Sequence, residues 1–142
     1  QDWARFCGLT LQDRGGSRID STWAQRGVIV AQRSEKMSTF VDGLFRVHFA
    51  EGRDIGQFSE VVEVATSVGF DAATFAAELR EPDTLAELHE NASDLLQHGG
   101  FGTPTMLVGT DLYFGNDRMP LVEIAVARAG GMRFVMPGEH GP

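Results

Sequence analysis

Cysteine is nearly absent. Cys7 is the only one in 142 residues, so no intrachain disulfide and no Cys-x-x-Cys redox pair can form within this sequence. Basic residues are scarce too: twelve Lys and Arg stand against twenty Asp and Glu, a net charge of -8. The cations are scattered, which argues against a phosphate-tracking nucleic-acid surface. No run of about 18 apolar residues reads as a membrane span, and no basic stretch followed by an apolar one marks a secretory leader. His48, His89, His98 and His140 never reach metal-ligand spacing, and no HExxH or paired-Cys pattern occurs. The glycines at 99, 100 and 102 make neither a GxGxxG nor a P-loop. What remains is an ordinary globular composition, 42% hydrophobic and 23% charged, one domain by length and expected in the cytoplasm. Gln1 is not Met and falls inside a helix already under way, so the sequence reads either as processed or as starting part-way through a longer protein.

Up to His98 the pattern is helical. Trp3, Phe6 and Cys7 share a helical face that Gly8 stops, which predicts a buried thiol. Gln12–Ser17 is a polar, glycine-bearing loop. A helix can begin at Asp20 or Ser21, capped by either, although Gly27 weakens it and Val28-Ile29-Val30 has strand character. The next should start after Ser34, with Met37, Phe40, Val41, Leu44, Phe45 and His48 at three- and four-residue steps. The stripe Phe40, Phe45, Phe49 reads as packing, with a hydrophobic cofactor box as the alternative, and His48 reads as a core histidine. Further helices are expected over Phe58–Val68, with Gly69 as stop, over Ala72–Leu79 behind an Asp71 cap, and from Pro82 or Asp83 to about Gln97. In the last of these Leu85, Leu88, Leu95 and Leu96 should face inward, and Asp94 and His98 form a surface i, i+4 pair.

The period then changes. Thr105–Val108 and Asp111–Phe114 are two short apolar runs joined by Gly109-Thr110, which predicts an antiparallel hairpin. Leu121, Ile124, Ala125 and Ala129 form the face of a closing helix, and the residues from Met132 on make a surface tail. This divides the chain into a helical region, 1–98, a hairpin-and-helix region, 99–131, and a tail, 132–142. The Thr103-Pro104 step can be a cis bond or a trans proline opening an edge strand. Asn116 and Asp117, at a helix start, can cap it or meet a charged ligand, and Pro120 favours Asp117 as the cap. Arg118 reads as the partner of a local ion pair.

FGTP, a strand pair, then FGNDRM and an apolar helix resemble the DsbA-like branch of the thioredoxin superfamily. The resemblance is to 2-hydroxychromene-2-carboxylate isomerases and kappa-class glutathione transferases. VDGLFRVHFAEGRDIG resembles that family's inserted helical domain, and DWAR the end of the helix leading into it. The likeness covers nearly the whole chain, most strongly Gly99–Arg118 and Phe40–Gly56. It implies a helix-rich α/β fold, a thioredoxin-like hairpin and C-terminal helix with an α-helical insertion. It also implies a cis Thr103-Pro104 bond, glutathione as cofactor with contacts at Thr103, Pro104, Asn116 and Asp117, a small-molecule substrate and a homodimer. Main-chain groups exposed at Thr103 could pair with the cysteinyl portion of glutathione as a one-residue β-augmentation. In that family the group meeting the glutathione sulfur lies in a first βαβ segment, for which no counterpart is read before Trp3, so no nucleophile or base is assigned.

Three functions compete. The first is a glutathione-dependent isomerase or transferase acting on an aromatic-derived compound. In its isomerase form the cofactor's thiol would add to an unsaturated chain, permit rotation and leave. The second is a thiol-disulfide oxidoreductase, which needs a Cys-x-x-Cys upstream of Gln1. The third is a non-catalytic partner or assembly module that docks through Phe40–Phe49.

Overall fold

The computed structural model describes residues 2–12 and 19–131. Most of the Gln12–Ser17 loop, the tail from Met132 and His140 lie outside the described residues. The chain forms two compact units, one up to Glu90 and one from Asn91.

The first unit holds α1 (Asp2–Phe6), α2 (Thr22–Gln32), α3 (Met37–Phe45), a π-helical turn (Arg46–Ala50), α4 (Phe58–Ser67), α5 (Ala72–Glu78) and the start of α6 (Pro82–Gln97). Local chemistry sets several of these boundaries. The Asp20 carboxylate accepts from the Thr22 N–H at 3.0 Å and from its hydroxyl at 2.5 Å, and these bonds hold its carboxyl below the usual range. Ser21 occupies the cap position without a side-chain capping bond, so Asp20 is the residue that secures the start of α2. Asp71 caps α5 by accepting from the Thr74 N–H at 2.8 Å, which likewise lowers its pKa. Gly69, at φ +89°, follows α4 where a left-handed residue is needed. Ser34 accepts from the Lys36 N–H at 3.2 Å and donates to the Ala31 carbonyl. It therefore shapes the turn between α2 and α3, and α3 begins only at Met37.

The core belongs to this unit. Ala24, Val30 and Ala31 of α2 meet Phe40 and Leu44 of α3, Val61, Val64 and Ala65 of α4, and Phe75 and Leu79. Val28-Ile29-Val30 is helical despite its β propensity, because Ile29 and Val30 are buried there and burial outweighs a preference of tenths of a kcal/mol (~0.5). Gly27 has a packing reason. A Cβ at this position would stand 2.8 Å from Cζ of Phe40 and 3.0 Å from Cγ1 of Val61. Gly27→Val is expected to lower stability by about 2 kcal/mol through overpacking, seen as a lower thermal midpoint; an unchanged midpoint would mean that α2 does not pack this close.

Two expectations fail here. Cys7 is exposed and Phe6 is 82% exposed, so helical spacing does not bury the thiol. Phe40 is fully buried, but Phe45 and Phe49 are 60% and 43% exposed, so the aromatic stripe is core at one end only. Beyond Phe45 the helix widens into the π turn, and a π turn rotates the following side chains out of the α-helical register.

The second unit holds the end of α6, the strands β1 (Thr105–Val108) and β2 (Asp111–Phe114), a 3₁₀ turn (Asn116–Arg118) and α7 (Met119–Ala129). The strands pair antiparallel, Thr105 opposite Phe114 and Val108 opposite Asp111, and Gly109 turns the chain at φ +62°. α7 packs on β1. Leu96 of α6 is 67% exposed and Leu121 of α7 also faces solvent, while Ala127 is the buried residue of α7. Two four-residue strands are too narrow to cover a whole helix face, so the apolar periodicity of α6 and α7 exceeds what this unit buries.

Candidate functional site at the open end of the hairpin

The hairpin register brings the four candidate residues to one place. The Gly115 N–H donates to the Pro104 carbonyl at 2.9 Å, which continues the Thr105–Phe114 pairing by one rung. The next positions outward are Thr103 on one strand and Asn116 on the other, both exposed, as are Pro104 and Asp117. The Thr103–Pro104 bond is cis, the alternative that the family resemblance implies. Among the described residues, neither the N–H nor the C=O of Thr103 has a hydrogen-bond partner, and the same holds for the N–H groups of Asn116 and Asp117. The stretch before β1 is tied down locally, since the Thr105 hydroxyl donates to the Gly102 carbonyl at 2.5 Å.

Gly115 shapes the site. Its φ of +98° and ψ of +148° suit glycine far better than any L side chain, and a Cβ there would lie 2.5 Å from Oδ1 of Asp117. The Asp117 carboxylate thus folds back over the Gly115 backbone, next to the rung with Pro104. It is 69% exposed, with Arg118 as an ion-pair partner at 3.8 Å, a loose surface contact of little energetic weight. The local pair expected for Arg118 is present. Side-chain capping is not: α7 has Arg118 at its cap position, neither Asn116 nor Asp117 caps by side chain, and Pro120 sits in the first turn. A 3₁₀ turn intervenes because Gly115 redirects the chain, and the Arg118 N–H bonds to the Gly115 carbonyl at 3.2 Å. Asn116 and Asp117 therefore keep their side chains free of the helix start.

The arrangement offers an extended backbone segment that can accept and donate one pair of main-chain bonds, two adjacent open N–H groups and an accessible carboxylate. Such groups have the chemistry to bond an extended main-chain unit, a carboxylate and an ammonium. Among the described residues no cluster of His, Cys, Asp or Glu could hold a metal ion, and no helix is long and apolar enough to cross a membrane. Asp94 and His98 form the surface pair expected, Oδ1 to Nδ1 at 3.3 Å. His48 departs from a satisfied core histidine. It is only half-buried, and its Nδ1 is buried with no partner among the described residues; nothing in the helical spacing around it announces the π turn that places it.

A cis-proline-led hairpin followed by a helix, preceded in the chain by a helical region, is the architecture of the C-terminal part of a thioredoxin-type unit with a helical insertion. Residues 1–127 match the model of the DSBA-like thioredoxin domain, and the chain belongs to that family. It is similar to a 2-hydroxychromene-2-carboxylate isomerase of Sphingobium xenophagum, 27% identical over 95 residues, which are 67% of this chain and 49% of the relative. An enzyme of the same description from Pseudomonas putida is 24% identical over 128 residues, 90% of this chain and 62% of the relative. The solved structure of a selenomethionine 2-hydroxychromene-2-carboxylate isomerase superposes with a TM-score of 0.75 at 24% identity, over 90% of this chain and 62% of that one; at that identity the likeness is one of fold. The chain spans between about half and about three-fifths of the length of these relatives.

Proposed function

We propose that this chain carries the peptide-reading wall of a glutathione-dependent isomerase that acts on an aromatic-derived compound. The observation that carries the reading is the pair of main-chain groups of Thr103, without partners among the described residues, at the open end of the hairpin. They would bond the cysteinyl residue of glutathione as one added rung beyond Pro104 and Gly115. The open N–H groups of Asn116 and Asp117 would take the γ-glutamyl carboxylate, and the Asp117 carboxylate its ammonium. Bound in this way, glutathione would supply a thiol that adds to a conjugated double bond and later leaves, so that the bond is single while it rotates. The isomerases named above support this choice over other thioredoxin-type chemistries.

The test is a calorimetric titration of the purified chain with reduced glutathione, repeated on Asp117→Ala. A charge-assisted hydrogen bond is worth about 1.5–3 kcal/mol, so Asp117→Ala is expected to weaken binding roughly ten- to a hundredfold. Because the Asp117 side chain makes no hydrogen bond among the described residues, the variant should keep its thermal midpoint. Equal affinity in the two proteins would remove the headgroup assignment, and no saturable binding by the unaltered chain would remove the glutathione reading itself.

A further inference from the structure

The register of the hairpin tells which main-chain groups of β1 are already bonded. The Gly115 N–H donates to the Pro104 carbonyl, so Pro104 and Gly115 form a hydrogen-bonded pair. In an antiparallel ladder such pairs alternate with unbonded ones. Met106–Tyr113 and Val108–Asp111 are therefore the other bonded pairs, and Thr105–Phe114 and Leu107–Leu112 the unbonded ones. The N–H and C=O of Thr105 and of Leu107 thus point away from β2. Among the described residues the sheet has two strands, and no bond from a loop or turn reaches those four groups.

An edge left open in this way is a template for another strand, and proteins commonly block it with charge, proline or a bulge. β1 is Thr-Met-Leu-Val, paired in unbroken register, and has none of these. Its Leu107 side chain is exposed as well. A two-stranded sheet is marginal by itself in water, so a further strand would stabilise the hairpin. The opposite edge is protected. Copies pairing along β2 about Tyr113 would set Asp111 of each opposite Gly115 of the other. The Asp117 carboxylate sits there, since a Cβ on Gly115 would lie 2.5 Å from its Oδ1. Like charges would then meet twice.

β1 can pair with itself without that penalty, which matters for a chain of net charge -8. Run antiparallel about a two-fold axis at Met106, Thr105 of each copy faces Leu107 of the other. All four open groups are then bonded, the two Leu107 side chains become diagonal neighbours on one face, and the two Met106 side chains meet on the other. The same patch serves both copies, as a two-fold contact requires. No charged residue of β1 enters the contact. We infer that two copies of this chain join through β1 into one four-stranded antiparallel sheet. The inference goes beyond the glutathione reading and does not rest on it.

Sedimentation equilibrium of the full chain, without glutathione, is expected to show monomer and dimer in equilibrium. Leu107→Pro removes an outward N–H, at a place where an edge strand tolerates proline. Leu107→Lys brings two like charges together beside the axis. Each should weaken dimerisation at least tenfold. Leu112→Lys makes the same change across the ladder, on the other edge, and should weaken it less than threefold. Circular dichroism checks that the variants stay folded; should the proline unfold the hairpin, the two lysine variants decide. Amide exchange into heavy water reads the register: the Thr105 and Leu107 amides should be protected at high concentration and exchange freely on dilution. A monomer at millimolar concentration, or a dimer indifferent to Leu107→Lys, would overturn the proposal. So would protection of those two amides at every dilution, which would put another segment of the same chain on this edge.

Discussion

Phe40→Ala is expected to cost about 3–5 kcal/mol, the usual range for truncating a buried aromatic residue. Phe40 is completely buried, and its ring lies 5.4 Å from that of Phe75 and 6.2 Å from that of Phe70. Its Cζ also approaches the backbone of α2 at Gly27. Removing the ring therefore opens space among α2, α3, α4 and α5 together, and helices pinned from several sides cannot collapse to fill it. Against a typical domain stability of about 5–15 kcal/mol the loss is large. Urea unfolding followed by circular dichroism should show the midpoint of the helical unit falling steeply. Phe45→Ala is the control. Its ring is mostly in solvent, so it should cost less than about 1 kcal/mol, and equal losses at the two positions would contradict this placement of the core.

The second large effect concerns charge. Arg26 is buried, yet among the described residues no carboxylate pairs with it. Its Nε donates to the Thr84 hydroxyl at 3.0 Å, its Nη2 donates to the Glu81 carbonyl at 2.8 Å, and its guanidinium lies 4.9 Å from the Trp23 ring centroid. Two neutral acceptors and an aromatic face thus stabilise the cation, and they do so through the fixed fork of the guanidinium. Arg26→Lys keeps the charge but offers one nitrogen that cannot reach both acceptors, leaving a buried ammonium poorly bonded. It is expected to lose about 3 kcal/mol. Arg26→Met removes the charge along with its desolvation penalty, and the Glu81 carbonyl still accepts from the Thr84 hydroxyl at 2.9 Å. Met should therefore cost less than half as much as Lys. Thermal and urea unfolding of both variants test the order, and a Lys variant as stable as the unaltered chain would show that the fork is not needed.

The same contacts explain why the sequence announces some features and conceals others. Asp71, Gly69, Pro82, Gly109 and the apolar runs of β1 and β2 each act on neighbours within about four residues. The helix ends at these positions and the hairpin register are accordingly legible in order along the chain. The candidate site is legible for the same reason. Thr103-Pro104 and Asn116-Asp117 flank a hairpin whose register follows from a two-residue turn, so their meeting at its open end needs no distant partner. The fold of Gly115 and Asp117 onto each other is not legible, because Gly-Asn-Asp reads equally well as a helix cap.

What the sequence by itself determined is the succession of elements, the hairpin and the meeting of Thr103-Pro104 with Asn116-Asp117 at its open end. These rest on local backbone chemistry, in which a cap, a turn glycine or a proline acts whatever surrounds it. Only the tertiary structure decided which apolar residues are core. Phe40 lies within it while Phe45, Phe49 and Leu96 remain outside, Cys7 is exposed and Arg26 is buried. Periodicity assigns a residue to a face, but burial depends on whether a second element covers that face. That depends on how closely α2 approaches α3 and α4 at Gly27 and on the π turn that redirects His48.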